Sequence, residues 1–400
     1  MVPELRKKYN EQFTNEKYEA FLKDLTGVHE GQLDFRVAET PVFIPNSFKQ
    51  KMLDACESII DIIKDEKFKV LTDNAVPKEL RIPNENDHSH FIAFDFGICQ
   101  NSEGIIEPQL IEMQGFPSLF AYQALFPEIS AKHFFQPEGY DNYLNGFTKQ
   151  IYIALLKEII LGKHQPEEVI LLEIFPQKQK TRIDFFCTED YTGIKPVCLT
   201  ELIAEGKQLY YMRDGKKTRI KRIYNRLIFD DLQQQTADVQ QKGKILFNDL
   251  EVEWVPHPNW FYRISKYTLP FIRHPYVPST YFLNEIKQVP ADLDQYVLKP
   301  LFSFAGQGVI INVTADDIRN VKDPQNWILQ RKVNYASIIQ TPGEMAKAEI
   351  RLFYFWKDGD DRPVATNNLA RISKGKMVGV RYNKDKDWVG GSFCWFEKKQ

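Results

Sequence analysis

The sequence predicts a mixed α+β and α/β fold, with a doubly wound αβ lobe set between a helical N-terminal part and a C-terminal antiparallel sheet. Three observations carry this reading. Apolar residues recur at helical spacing over the first 90 or so positions; a helix then alternates with short apolar strands; from about residue 256 the apolar runs become short and rich in β-branched and aromatic side chains. The divisions fall at 1–135, 136–255 and 256–400.

Residues 15–26 and 46–65 are predicted helices, and the second carries Met52, Leu53, Ile59, Ile60 and Ile63 on a helical repeat. Pro41, Pro45, Pro77 and Pro83 mark the surrounding loops. The middle part opens with a helix near 141–161, followed by strands VILLEI (169–174), RIDFF (182–186) and IKRIYNRLI (220–228). Such alternation implies a doubly wound sheet. In the last part YVLKPL, GVIINV, WILQRKV, EIRLFYFW and VATNNLARI read as strands separated by turn signals.

With 400 residues, 43% of them hydrophobic, the chain can bury substantial cores in two or three lobes. The 52 Lys and Arg nearly balance the 54 Asp and Glu, so a net charge of -2 gives no global field for nucleic acid or an anionic membrane. Any affinity for phosphate must be local. Cys56, Cys99, Cys187, Cys198 and Cys394 are widely spaced without a CxxC pair, as reduced thiols packing as small hydrophobes would be. The histidines show no HExxH or similar ligand spacing. MVPELRKKYNEQF is polar where a signal peptide needs an apolar core, and no apolar run reaches the ~18 residues of a membrane span. The expectation is a cytoplasmic protein.

Three constellations carry chemistry. In YVLKPLFSFAGQGVII, Lys299 ends an apolar strand, and a loop with Ser303, Gly306, Gln307 and Gly308 follows. Backbone N–H groups of such a loop can cover phosphates while the lysine supplies a point charge; read alone, the loop is equally a glycine hairpin. In EIRLFYFW and VATNNLARIS, Glu349, Arg351, Asn367, Asn368 and Arg371 interrupt apolar strands and need partners, which a bound phosphate or surface ion pairs would supply. In FIAFDFGICQNSEGIIEPQLIEMQGFPSL, Asp95 lies within one strand, and Glu112 and Gln114 share a face of the next. Antiparallel pairing would set three hard oxygen ligands together, a set that suits Mg2+.

Taken in order, these motifs resemble the ATP-grasp superfamily, and specifically its circularly permuted branch, the glutathionylspermidine synthase family, in which the metal element precedes the phosphate elements. The resemblance covers about 90–395 and implies a circularly permuted ATP-grasp fold that uses ATP and Mg2+. It makes Asp95, Glu112 and Gln114 metal ligands; position 114 is Gln where the superfamily generally has Asn. Lys266 and Lys299 become the phosphate lysines, with the glycine loop beside them, and Gln330, Lys332 and Val333 the adenine hinge. Arg351 and Arg371 would face the transferred phosphate, with Asn383, Gly390 and Gly391 closing that wall. Ser118, Tyr224, Asn225 and Arg226 would border the substrate cleft.

The implied reaction is an ADP-forming ligation of a small-molecule or peptide carboxylate to an amine through an acyl phosphate, needing no nucleophilic side chain. Two other outcomes share the pattern: an ATP-grasp kinase, and an inactive nucleotide or peptide binder that keeps the fold.

Overall fold

A five-stranded antiparallel sheet organises the computed structural model, which describes residues 2–302, 308–375, 378, 383 and 385–399. Its order is Gly390–Ser392, Val364–Ser373, Lys347–Phe355, Phe91–Gln100 and Ile106–Gln114. An early hairpin and a late one therefore form one sheet. Strand alternation explains why FIAFDFGI is apolar on both faces. Phe94, Phe96 and Ile98 enter a core with Ile350 and Leu352, whereas Phe91 and Ala93 enter a second core with Phe353 and Leu369. Asp95 comes next on that second face, where the apolar residues stop.

The first core is covered by helix Asn46–Lys64, which buries Phe48, Met52, Ala55, Cys56, Ile59, Ile60 and Ile63 at helical spacing. Each large side chain so buried contributes roughly 1.5–3 kcal/mol. Strand Val42–Ile44 pairs in parallel with Cys394–Glu397, so the first and last thirds of the sequence share one body.

The central lobe is a four-stranded parallel sheet in the order Glu253–Val255, Arg222–Asn225, Val169–Glu173, Lys195–Cys198. Val169 and Leu171 pack into one core and Ile170 and Leu172 into another, as a sheet covered on both faces requires. Helix Lys149–Leu161 precedes it, its N-terminus capped by the Thr148 hydroxyl accepting from Ile151 N–H at 3.3 Å. The expected strand at 182–186 is instead the start of helix Ile183–Thr192. A short apolar run does not separate a strand from the first turns of a buried helix. Gly193, at φ +82°, ends this helix with its N–H on Glu189 C=O at 2.7 Å.

A smaller antiparallel sheet, Thr280–Phe282, Trp327–Arg331 and Tyr296–Pro300, has its own core of Leu283, Tyr296, Leu298, Val313 and Leu329. GVIINV, expected as a strand, contributes one bridge, Leu298 to Ile310. Among the described residues no helix is long and apolar enough to cross a membrane.

Candidate functional site

Strand register assembles the charged cluster. Asp95 is opposite Glu112 on one side and Arg351 on the other, and Glu349 is opposite Arg371. Arg351 donates from Nε to Asp95 Oδ1 at 2.5 Å and from NH2 to Oδ2 at 2.7 Å. Arg371 donates to Asp95 Oδ2 at 2.7 Å and lies 2.9 Å from Glu349 Oε2. Burial works to raise the Asp95 carboxyl, but the two guanidinium groups prevail and hold it below its usual value. Both Asp95 oxygens are thus engaged, and its side chain is 1% exposed.

Glu112 differs, because its side chain is 32% exposed and its nearest guanidinium contact, Arg351, is at 3.8 Å. Gln114 Nε2 is 3.4 Å from Glu112 Oε1, so the two side chains share one side of their strand. Gly115 follows them because a side chain there would not fit: a Cβ would stand 2.5 Å from Trp260 C=O. Its N–H donates to Ile264 C=O at 2.8 Å, which brings the end of this strand up to the segment that carries Lys266.

Lys266 and Lys299 face this cluster. Lys266 donates to Pro300 C=O at 3.0 Å, and burial pulls its ammonium down to about 8, against the pull of Glu112. Lys299 donates to Gln330 Oε1 at 2.6 Å, and Gln330 Nε2 donates in turn to Thr280 Oγ1 at 3.0 Å. Burial lowers Lys299 as well, opposed by Glu112 and Glu349. Carboxylates from the large sheet therefore act on an amine from the small sheet, which makes the place where the two meet the candidate site.

The other expected residues fall as follows. Gly308 has φ +75° and lies against Pro300, one position past Lys299; Ser303, Gly306 and Gln307 lie outside the described residues. The Lys332 N–H is spent on Gln295 C=O at 2.8 Å. Val333 is half-buried, and no backbone hydrogen bond among the described residues engages it. Gly391 pairs with Arg371 across the sheet, Gly390 has φ +126°, and Asn383 Oδ1 accepts from Lys374 N–H at 2.9 Å. Asn367 and Asn368 do not join the cluster: their amides donate to Gln123 C=O at 3.2 Å and Asn142 C=O at 2.7 Å.

Tyr224, Asn225 and Arg226 are buried. Arg226 donates to Asp184 Oδ2 at 2.7 Å, and the same carboxylate accepts from the N–H groups of Leu119, Ala121 and Tyr122 at 3.1, 2.9 and 3.0 Å. Asp184 thereby ties Arg226 to the turn that carries the half-buried Ser118. The sequence reading placed Asp184 in a strand and missed this role. It missed Tyr335 too, whose hydroxyl donates to Glu349 Oε1.

The architecture brings charged residues of a small antiparallel sheet and of a large one into a single cluster. No protein-family model matches the chain, and no curated protein matches it. Among solved structures the chain is similar to a glutathione synthetase-like effector from Globodera pallida in its apo form, with a TM-score of 0.57, 11% sequence identity and 96% of each chain covered. The two chains therefore share a fold over almost their whole length.

Proposed function

We propose that the chain binds Mg-ATP between its two sheets and joins a carboxylate to an amine, in the permuted order of motifs that the sequence suggests. The observation that carries this reading is the meeting of Lys299, from the small sheet, with Glu112 and Glu349, from the large one, the carboxylates that Arg351 and Arg371 contact. Lys266 and Lys299 would hold phosphates, and the open backbone of Val333 would meet the adenine edge. Arg371 keeps 37% of its side chain exposed, against 9% for Arg351. It would take the charge that develops on the transferred phosphoryl group.

Glu112 and Gln114 fit a hard cation, since Mg2+ is commonly bound through one or two carboxylates and completes its shell with water and nucleotide phosphates. Asp95 does not fit as an open ligand, because both of its oxygens carry guanidinium groups. In this reading Asp95 holds the arginines. The cation would supply neutralising charge at the phosphates. A substrate carboxylate oxygen attacks the γ-phosphorus as the bond to ADP breaks, and the amine then displaces phosphate from the acyl phosphate.

The test is product analysis with Mg-ATP and a panel of peptides, amino acids and polyamines. ADP and phosphate are expected, and hydroxylamine should trap a hydroxamate when the acid is given without its amine. AMP and pyrophosphate would overturn the ligase reading, and a stable phosphorylated product would favour a kinase. The saturation of Asp95 favours one further reading, a nucleotide or peptide binder without turnover, which nucleotide binding with no product from any panel member would support.

A further inference from the structure

The segment that joins the small sheet to the large one runs through Lys332 and Val333 into Tyr335. It is laid along strand Phe91–Gln100: Gln100 N–H donates to Asn334 C=O at 2.8 Å and Ala336 N–H to Ile98 C=O at 2.9 Å, with Cys99 bridged to Tyr335. The tyrosine ring occupies the space left by Gly97, where a Cβ would come within 2.8 Å of Tyr335 Cε1. Ring and hydroxyl are thus both fixed, the ring by a missing side chain and the hydroxyl by the Glu349 carboxylate. The other Glu349 oxygen holds Arg371 at 2.9 Å, and Arg371 reaches Asp95.

We infer that Tyr335 is a positioning residue that links the nucleotide hinge to Arg371 through Glu349, so that the hinge sets the guanidinium that meets the terminal phosphate. The inference rests on the nucleotide reading above. Glu349 is buried, and of its two oxygens one is held by the hinge and the other holds the arginine. Removing the tyrosine hydroxyl frees the carboxylate to turn wholly onto Arg371 and draw it away from the gap. The lysines, which reach the site from elsewhere, keep their places. The loss should therefore fall on the γ-phosphate alone.

Binding of Mg-ADP and of the Mg complex of the β,γ-imido analogue of ATP, measured by calorimetry, reads this directly. Tyr335→Phe keeps the ring against Gly97; it should leave Mg-ADP affinity unchanged and reduce the preference for the triphosphate by about tenfold, the scale of one hydrogen bond to a charged group. Gly97→Ala, whose Cβ would push the Tyr335 ring from its seat, should reproduce that loss, and it carries the test if the tyrosine variant does not fold. Equal weakening of both nucleotides, or an unchanged preference, overturns the inference and leaves nucleotide binding standing. So does a wild type that binds the two equally. A wild type that binds neither overturns the nucleotide reading and the inference with it.

Discussion

Asp95 and Arg351 stand 256 positions apart in sequence and face each other across adjacent strands, closing a two-point ion pair. Two-point pairs fix orientation as well as charge. A buried pair broken from one side leaves the other charge uncompensated, at a cost of about 3–5 kcal/mol. Asp95→Asn should therefore lower stability on that scale in urea unfolding, with or without Mg2+. Glu112→Gln should leave stability nearly unchanged and weaken the Mg2+ dependence of nucleotide binding. If Asp95→Asn is well folded and loses metal dependence alone, Asp95 is a ligand after all.

Lys266 gives nucleotide binding a pH signature. Its ammonium, pulled down to about 8 by burial, is charged below that value and neutral above it. Affinity for Mg-ATP should be flat from pH 6.5 to 7.5 and fall by roughly tenfold per unit well above pH 8, until binding itself raises the lysine. Lys266→Arg, charged throughout, should bind with no such fall. A wild type and an arginine variant with the same profile would remove Lys266 from the phosphate contact.

Lys299→Ala supplies the complementary test at constant pH. Mg-ATP at ~100 times its Kd should stabilise the wild type by roughly 2.7 kcal/mol by mass action, and the variant much less. An equal thermal shift in both proteins would place the triphosphate elsewhere.

The buried His257 and the half-buried His88 shape stability at acid pH. Burial pulls His88 and His257 each down to about 4, from the ordinary imidazole value of 6.5. His257 shows why: one ring nitrogen is 3.0 Å from Pro83 C=O and the other takes Asn259 N–H at 3.3 Å, which suits the neutral ring. Between pH 6.5 and 4 the unfolded chain binds more protons, so stability falls as pH falls, by on the order of 3 kcal/mol per histidine. Glu173, pushed up to about 8 by burial, acts in the opposite direction between 4.5 and 8. The informative quantity is thus the difference between wild type and His257→Gln, which should shrink as pH drops from 7 to 4.5. A constant difference would mean that His257 titrates alike in the folded and unfolded chain.

Asp184→Asn should cost about 3–5 kcal/mol, because it strips Arg226 of its buried counter-charge. Chemical denaturation measures this, and a loss below 1 kcal/mol would mean that the turn holding Ser118 is secured by other contacts.

How much of this was legible in the sequence depended on the range of the interactions. Helix Asn46–Lys64 and strands Lys347–Phe355 and Val364–Ser373 follow from spacing alone, since their periodicity is local. The acid and amide on one strand, Glu112 and Gln114, were legible for the same reason. The partner of Asp95 was not: whether an acid meets a cation or a guanidinium is decided by register between strands far apart in sequence. Tyr335 left no local signal, because its role is set by the vacancy at Gly97 and a carboxylate on another strand. Asp184 was misread because a few apolar residues beside it fit a strand and a buried helix equally.

The large sheet also sets a timetable for synthesis. Its hairpin Phe91–Gln114 emerges from the ribosome long before Lys347–Ser392, its partner strands. At about 5–20 residues per second the wait is on the order of 10–50 seconds. Over that interval the strand edge that will meet Lys347–Phe355 has no native neighbour, whereas the parallel lobe between residues 149 and 255 can complete its own pairing. The nascent chain therefore carries an open edge until its last strands arrive, and holding chaperones or slowed translation should act on this stretch of synthesis first.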